Sequence, residues 1–308
     1  MAAEGALDRV WSEAFADPRL AMDQGLSPTD LQTLLLGMAK ARAEHVTPGR
    51  VLRRWQEDAF VKPSASDPRR LSRFEAALWS RLPEGFDGLE LSPVAPFGAC
   101  SAVAGVDQNR VLTTTRTNEV LSDPTVVLAV AAAARRKENR HRPVHLAACH
   151  RVLRTQRFRP PFQQHFRLFA LVSSDRDVGS GRTEAALLVS HLSFYVSALA
   201  ALLPEDRVRV RLSAFQASAG AERLIDTVVP ALDPLPPNVE VSEDSERQHG
   251  RGYYQDLALR IDVIHDGEEI EVGDGGLTDW TARLLPDAKE RCLTSCIATE
   301  RLAAICAG

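Results

Sequence analysis

Apolar positions change their period several times along the chain. Residues 27–60, "SPTDLQTLLLGMAKARAEHVTPGRVLRRWQEDAF", repeat them at helical spacing in two runs. Ser27 or Thr29 suits the first run as an N-cap, and Thr47-Pro48 opens the second as a cap followed by a first-turn proline. "SDPRRLSRFEAALWSRLP" predicts a third helix, with Leu71, Phe74, Leu78 and Leu82 on one stripe.

After "PEGFDGLELSP" the pattern shortens to strands and turns, with "VLTTTR" a β-rich run, and "DPTVVLAVAAAARRKE" returns to helix. From "HLAACHRVLR" to "FRLFALVSS" two strand-like runs flank about ten irregular residues, longer than a hairpin loop needs. "RTEAALLVSHLSFYVSALAALL" predicts an amphipathic helix. "RVRVRL" is a period-two strand with Arg207, Arg209 and Arg211 on its wet face. "PALDPLPPNVEVSEDSERQHG" reads as a proline-rich, then acidic, surface stretch. "YYQDLALRIDVIHDGEEIEVGDGG" predicts a hairpin turning at Asp266-Gly267, with "GDGG" by itself a turn, and "TERLAAICA" a closing helix. The mixture is α+β rather than regular βαβ alternation. It suggests a helical N-terminal extension over 1–66 and one catalytic-sized core over 67–308.

Composition narrows the class. With 44% apolar and 25% charged residues the chain is globular, and a formal net charge of −4 argues against a surface built wholly for nucleic acid. The amino terminus carries acids and no apolar leader, and no long uncharged apolar run suggests a membrane span, so a cytoplasmic chain is expected. Five cysteines form no framework and are expected as buried thiols. His141, His145, Cys149 and His150 have a period that would gather metal ligands on a helix, but the segment reads as strand, so no metal is predicted there. Phosphate-loop, dinucleotide and serine-elbow motifs are missing.

One segment stands apart. Between Asn139 and Ser174 there is no acid, while Arg140, Arg142, Arg151, Arg154, Arg157, Arg159 and Arg167 supply permanent charge. Guanidinium binds phosphate bidentately and does not deprotonate. Phe158, Phe162, Phe166 and Phe169 are interleaved, each a flat face on which a base can stack. The pattern suggests a nucleotide site or a single-stranded nucleic-acid groove.

"LRTQRFRPPFQQHFRLFA" resembles, without a gap, motif 2 of class II aminoacyl-tRNA synthetases in its histidyl-type form. Further pieces follow in the family's order. "RLSRFEAALWSRLPEGFDGLELSPVAP" is similar to the motif 1 helix and strand, and "RTNE" to the Arg-Pro-Glu loop. "RGYYQDLALRID" resembles the histidyl Arg-Gly-Leu-Asp-Tyr-Tyr segment, "GDGGLTDW" the Gly-Gly-Gly-Arg-Tyr-Asp-Gly strand, and "TSCIATERL" motif 3.

The resemblance implies an antiparallel sheet flanked by helices, a homodimer through the motif 1 region, and ATP, with Mg2+, activating a small carboxylic or amino acid as an acyl-adenylate. By position Arg154 would hold the α-phosphate and Phe166 would stack under adenine, which Gln156 would contact. Arg301 would lie by the γ-phosphate, and Arg251 would be the catalytic arginine. Glu119, Tyr253, Tyr254 and Thr278 would line the substrate pocket. Attack on the α-phosphorus concentrates negative charge on nonbridging oxygens, so losing one such arginine would cost about a hundredfold in rate, roughly 3 kcal/mol.

Departures from the pattern are equally specific. Gln156 replaces the motif 2 glutamate and Thr294 a motif 3 glycine. Leu168 and Val172 stand where histidyl enzymes grip the α-amino group, and Thr278 replaces a tyrosine that contacts imidazole, which leaves Glu119 as the amine anchor. The chain continues only seven residues past Arg301, where a histidyl enzyme enters its anticodon-binding domain, so tRNA binding and histidine charging are not expected. Two functions follow from the resemblance. One is an ATP-dependent ligase passing an acyl group to an acceptor whose identity is open. The other is a non-catalytic sensor like the regulatory subunit of ATP phosphoribosyltransferase.

Overall fold

The computed structural model describes residues 2–16, 25–156, 163–215, 219–247 and 249–306. Arg157, Phe158, Arg159 and Phe162 of the arginine-rich segment lie outside the described residues.

The first four helices are α1 (Ala2–Ala16), α2 (Pro28–Glu44), α3 (Pro48–Glu57) and α4 (Pro68–Trp79). The last three each begin with a proline behind a capping side chain: Ser27 accepts from the Asp30 amide, Thr47 from Arg50 and Asp67 from Arg69. Helices α1 and α2 meet around Val10, Leu26 and Leu34. Helix α3 buries none of its residues, whereas α4 buries Leu71, Phe74 and Leu78; Leu82 packs on the same core beyond the helix end.

Next come β1 (Asp87–Gly88), β2 (Val94–Pro96), α5 (Ala99–Ala104), β3 (Asn118–Val120) and α6 (Pro124–Glu138). "VLTTTR" forms no strand of the sheet. Its polar threonines give it no face to bury, and it folds back on β3 in a tight hairpin, with the Thr114 amide donating to Asn118 O and the Val120 amide to Leu112 O. The rest is β4 (Val144–Leu153), β5 (His165–Arg176), α7 (Arg182–Leu202), β6 (Arg207–Ala214), α8 (Ala219–Ala231), β7 (Val239–Glu243), β8 (Gln255–His265), β9 (Glu268–Thr278), α9 (Trp280–Leu284), β10 (Glu290–Ala298) and α10 (Thr299–Ile305). Strand β7 lies inside the stretch expected as a proline-rich, then acidic, surface: Val239 and Val241 alternate with Glu240 and Ser242, and the strand pairs in parallel with β6.

The main sheet has eight strands in the order β1-β4-β5-β10-β9-β8-β6-β7. Its outer pairs, β1 with β4 and β6 with β7, are parallel, and the others are antiparallel. The Asp266-Gly267 turn is where the sequence pattern put it, with φ of 50° and 81°.

Alternation assigns the two faces. Phe169, Leu171, Leu293 and Ile297 meet α4, α7 and α8, whereas Ala148, Ala170, Val172 and Cys292 meet α6 and Trp280. Helix α7 is buried on more than one side because sheet, α4 and α8 all touch it, so its apolar stripe is broader than an amphipathic surface helix needs. The helix is long and apolar enough to cross a membrane by composition, yet more than half of it is buried inside the fold, as in a core helix.

Candidate functional site

Arg154 follows the last residue of β4, and its amide donates at 2.8 Å to the carbonyl oxygen of Gln164, the residue before β5. Gln164, in the amide orientation that satisfies it, donates to the carbonyls of Arg154 and Gln156 at 2.8 and 2.6 Å. The Gln156 backbone is thereby pinned beside Arg154. The Arg154 guanidinium donates through Nε to Ser122 O at 3.1 Å, lies 3.6 Å from Asp123 Oδ2, and sits 5.3 Å from the centre of the Phe166 ring. Antiparallel register makes that meeting inevitable, since Val152 pairs with Phe166 and side chains two residues apart share a face.

Asp123 works on two sides. Its Oδ1 caps α6, accepting from the Thr125 amide at 2.9 Å and the Thr125 hydroxyl at 2.6 Å, while Oδ2 faces Arg154 and accepts from the Tyr253 hydroxyl at 3.3 Å. Tyr253 meets Tyr254 edge-on at 4.9 Å and Trp280 at 5.5 Å. Burial raises both phenols well above their usual range, and neighbouring carboxylates add to it, so neither ionises near neutrality.

The Tyr254 ring lies over β9. A Cβ at Gly276 would come within 2.6 Å of that ring, and one at Gly275 within 2.6 Å of Thr294 O on β10. "GDGG" is therefore no turn but part of a strand crowded on both sides, where glycine is needed for clearance. Asp274 in the same strand accepts at Oδ1 from Arg247 Nη2 at 2.8 Å and from the Gly275 amide at 2.9 Å. Arg247 is almost wholly buried and also donates to Leu259 O and His249 O.

Arg251 is exposed, and its guanidinium and that of Arg247 each lie 5.8 Å from the Phe215 ring; its backbone pairs with that of Tyr254. Arg301 donates through Nη1 to Glu271 O. It sits at the Phe166 end of the sheet by register, because Ala298 of β10 pairs with Leu168 and Ile297 with Gly273. Thr278 is at the opposite end of β9, paired with Cys292, its buried Oγ1 making no hydrogen bond among the described residues. It lines a separate cleft of about 620 Å³ with Gln255, Asp256 and Asp279.

Glu119 is fully buried and already satisfied: Oε2 accepts from the Gly98 amide at 2.8 Å and Gln108 Nε2 at 2.9 Å, and Oε1 from the Cys100 amide at 2.9 Å. Burial alone would raise its pKa, but those donors outweigh it and hold the carboxyl below its usual range. The carboxylates that face Arg154 and the tyrosines are instead Asp123 and Asp274. Both help burial to push up the Cys296 thiol, which pairs in register with Asp274, so Cys296 is a protonated floor rather than a nucleophile. Burial raises Cys100 and Cys149 to about 12 and Cys292 to about 11.

The structure thus brings together Arg154, Phe166, Tyr253 and Tyr254 and adds Asp123, Asp274 and Arg247, which sequence reasoning passed over. Asp123-Pro124 was visible as a helix start, and Asp274 as the one charge within a glycine-rich run. The resemblance singled out Arg251, and no pattern in the sequence marks Arg247.

An eight-stranded, largely antiparallel sheet with α6 on one face and α4, α7 and α8 on the other is the catalytic-core fold of class II aminoacyl-tRNA synthetases. Among solved structures, apo histidyl-tRNA synthetase from S. aureus matches with a TM-score of 0.58 at 12% identity, over 77% of this chain and 64% of that one. An ATP phosphoribosyltransferase regulatory subunit/histidyl-tRNA synthetase from Bacillus halodurans gives 0.59 at 10% identity, over 80% and 83%. A histidine–tRNA ligase subunit from Alicyclobacillus acidocaldarius gives 0.56 at 12% identity, over 80% and 96%. The chain spans about two thirds of the S. aureus enzyme's length. No family model matches the sequence, and no curated protein aligns with it significantly.

Proposed function

We propose that the chain is an ATP-dependent ligase that activates a carboxylic or amino acid as an acyl-adenylate. The observation that carries this reading is the Arg154 guanidinium beside the Phe166 ring, with Arg301 at the same end of the sheet. Adenine stacks on Phe166, Arg154 holds the α-phosphate, and Arg301 holds the γ-phosphate. The substrate carboxylate attacks the α-phosphorus, the bond to the bridging oxygen breaks, and pyrophosphate leaves. Arg154 stabilises the charge that grows on the nonbridging oxygens. A substrate amine finds Asp123 and Asp274 rather than Glu119, whose oxygens are occupied.

No three His, Cys, Asp or Glu side chains among the described residues group as a metal site, so Mg2+ would arrive with the nucleotide phosphates. Division into an extension over 1–66 and a core over 67–308, homodimerisation through 70–96, a cytoplasmic location and an amine, thiol or carrier acceptor belong to the same proposal.

A second reading, a non-catalytic sensor, is favoured by one observation: the Arg251 side chain is exposed over the Phe215 ring rather than buried like Arg247. ATP–pyrophosphate exchange with pooled carboxylic and amino acids separates the two. The ligase reading expects exchange with at least one pool and its loss in Arg154→Ala. Exchange that survives Arg154→Ala would show the clamp to be misassigned. No exchange with any pool and no thermal shift with ATP would leave the sensor.

A further inference from the structure

The segment 62–66 joins the N-terminal helices to α4, and it bonds to the nucleotide end of the sheet. Ser64 Oγ donates to Glu300 Oε1 at 2.8 Å, and His165 Nε2 lies 2.6 Å from Lys62 O. The tautomer of His165 follows from its neighbours. Arg151 Nη1, which can only donate, is 2.9 Å from Nδ1, so Nδ1 accepts and Nε2 carries the hydrogen toward Lys62. Glu300 also takes Arg151 Nη2 at 2.6 Å and the Arg167 amide at 3.2 Å.

These contacts touch the two neighbours that matter most. His165 precedes Phe166 in β5, and Glu300 precedes Arg301 in α10. Helix α10 has an independent anchor, because Thr299 donates to Glu75 Oε1 at 2.9 Å and Glu75 holds Arg167 bidentately at 2.7 and 2.9 Å. Losing the bond from Ser64 therefore leaves the helix in place and loosens only the side of its first turn that faces the segment.

We propose that residues 62–66 form a strap that seats Arg301 for the γ-phosphate, with Ser64 and Glu300 as its positioning residues. The inference rests on the ATP-site reading above and names a control on that site.

The test compares ATP and AMP binding by titration calorimetry in the full chain, for wild type, Ser64→Ala and Glu300→Gln. Arg301 serves the γ-phosphate, so a misplaced Arg301 weakens ATP and spares AMP. Each variant should lose about tenfold in ATP affinity with AMP within about twofold. A merely structural role would lower both equally. An unchanged ATP-to-AMP ratio in variants of a wild type that binds both nucleotides overturns the strap alone, and a wild type that binds neither overturns the strap and the ATP site together. Should Glu300→Gln fail to fold, Ser64→Ala decides, since Glu300 keeps Arg151 and the Arg167 amide in that variant.

Discussion

Replacing Arg136 with methionine tests how α6, which presents Asp123 to Arg154, is held to the sheet. Arg136 and Glu290 are completely buried and joined by two bonds of 2.9 Å, and Arg136 Nη1 also donates to Arg142 O at 2.6 Å and lies 3.4 Å from Asp175. The Arg136→Met variant keeps most of the volume and strands Glu290 with only Ser174 Oγ, at 3.4 Å. Leaving one member of a buried pair uncompensated costs about 3–5 kcal/mol. At about 2 cal/mol/K per residue, 308 residues give an unfolding entropy of about 0.65 kcal/mol/K, so the melting temperature should fall by about 5–8 °C. Urea unfolding and calorimetry read both quantities. The double variant Arg136→Met, Glu290→Gln should recover much of the loss, because the stranded charge is gone. A single variant within about 1 kcal/mol of wild type, or a double variant no better than the single, would refute the reasoning.

Three further outcomes are expected. Burial, with a smaller contribution from His145, lowers His191 from 6.5 to about 3, and burial also lowers His145, so the unfolded chain binds more protons between those limits. Stability is full above pH 6.5 and drains away as pH falls toward 3, by at most about 1.4 kcal/mol per pH unit for each histidine; urea midpoints against pH should show a shallower slope in His191→Gln. Gly276→Ala, which pushes a methyl into the Tyr254 ring and Leu257 O, should cost about 1–3 kcal/mol and alter the near-ultraviolet circular dichroism, whereas Gly85→Ala, with open space around it, should leave both unchanged. Phe166→Leu should weaken ATP about tenfold in calorimetry by removing the stacking face while keeping an apolar side chain, and equal affinity would mean the base lies elsewhere.

Much of this molecule was legible before its coordinates. Capped helix starts at Ser27 and Thr47, the long strands around the arginine clamp and the Asp-Gly turn are local events, governed by residues next to one another. The resemblance assigned Arg154 and Phe166 to one nucleotide, and the strand register places them side by side. The bonds that occupy Glu119 were not legible, because two of its three donors are the backbone amides of Gly98 and Cys100, about twenty residues away, and amides leave no mark in a side-chain pattern. Arg247 and Arg251 are chemically identical, and only the folded chain shows that Arg247 is the one bonded to Asp274 and Leu259 O of the sheet while Arg251 stays exposed. "GDGG" misled because glycine serves clearance as well as turning, and only neighbouring strands show which.

The position of β10 between β5 and β9 has a consequence for biosynthesis. The strand that completes the middle of the sheet is the second-last element of the described chain. As the polypeptide leaves the ribosome, β4–β5 and β8–β9 can each close as hairpins, but their inner edges stay open until residues 290–298 emerge and slot between them. A stop codon before that point would yield two half-sheets with bare, pairing-competent borders and no shared site, since Phe166 and Arg301 come together only through that last insertion.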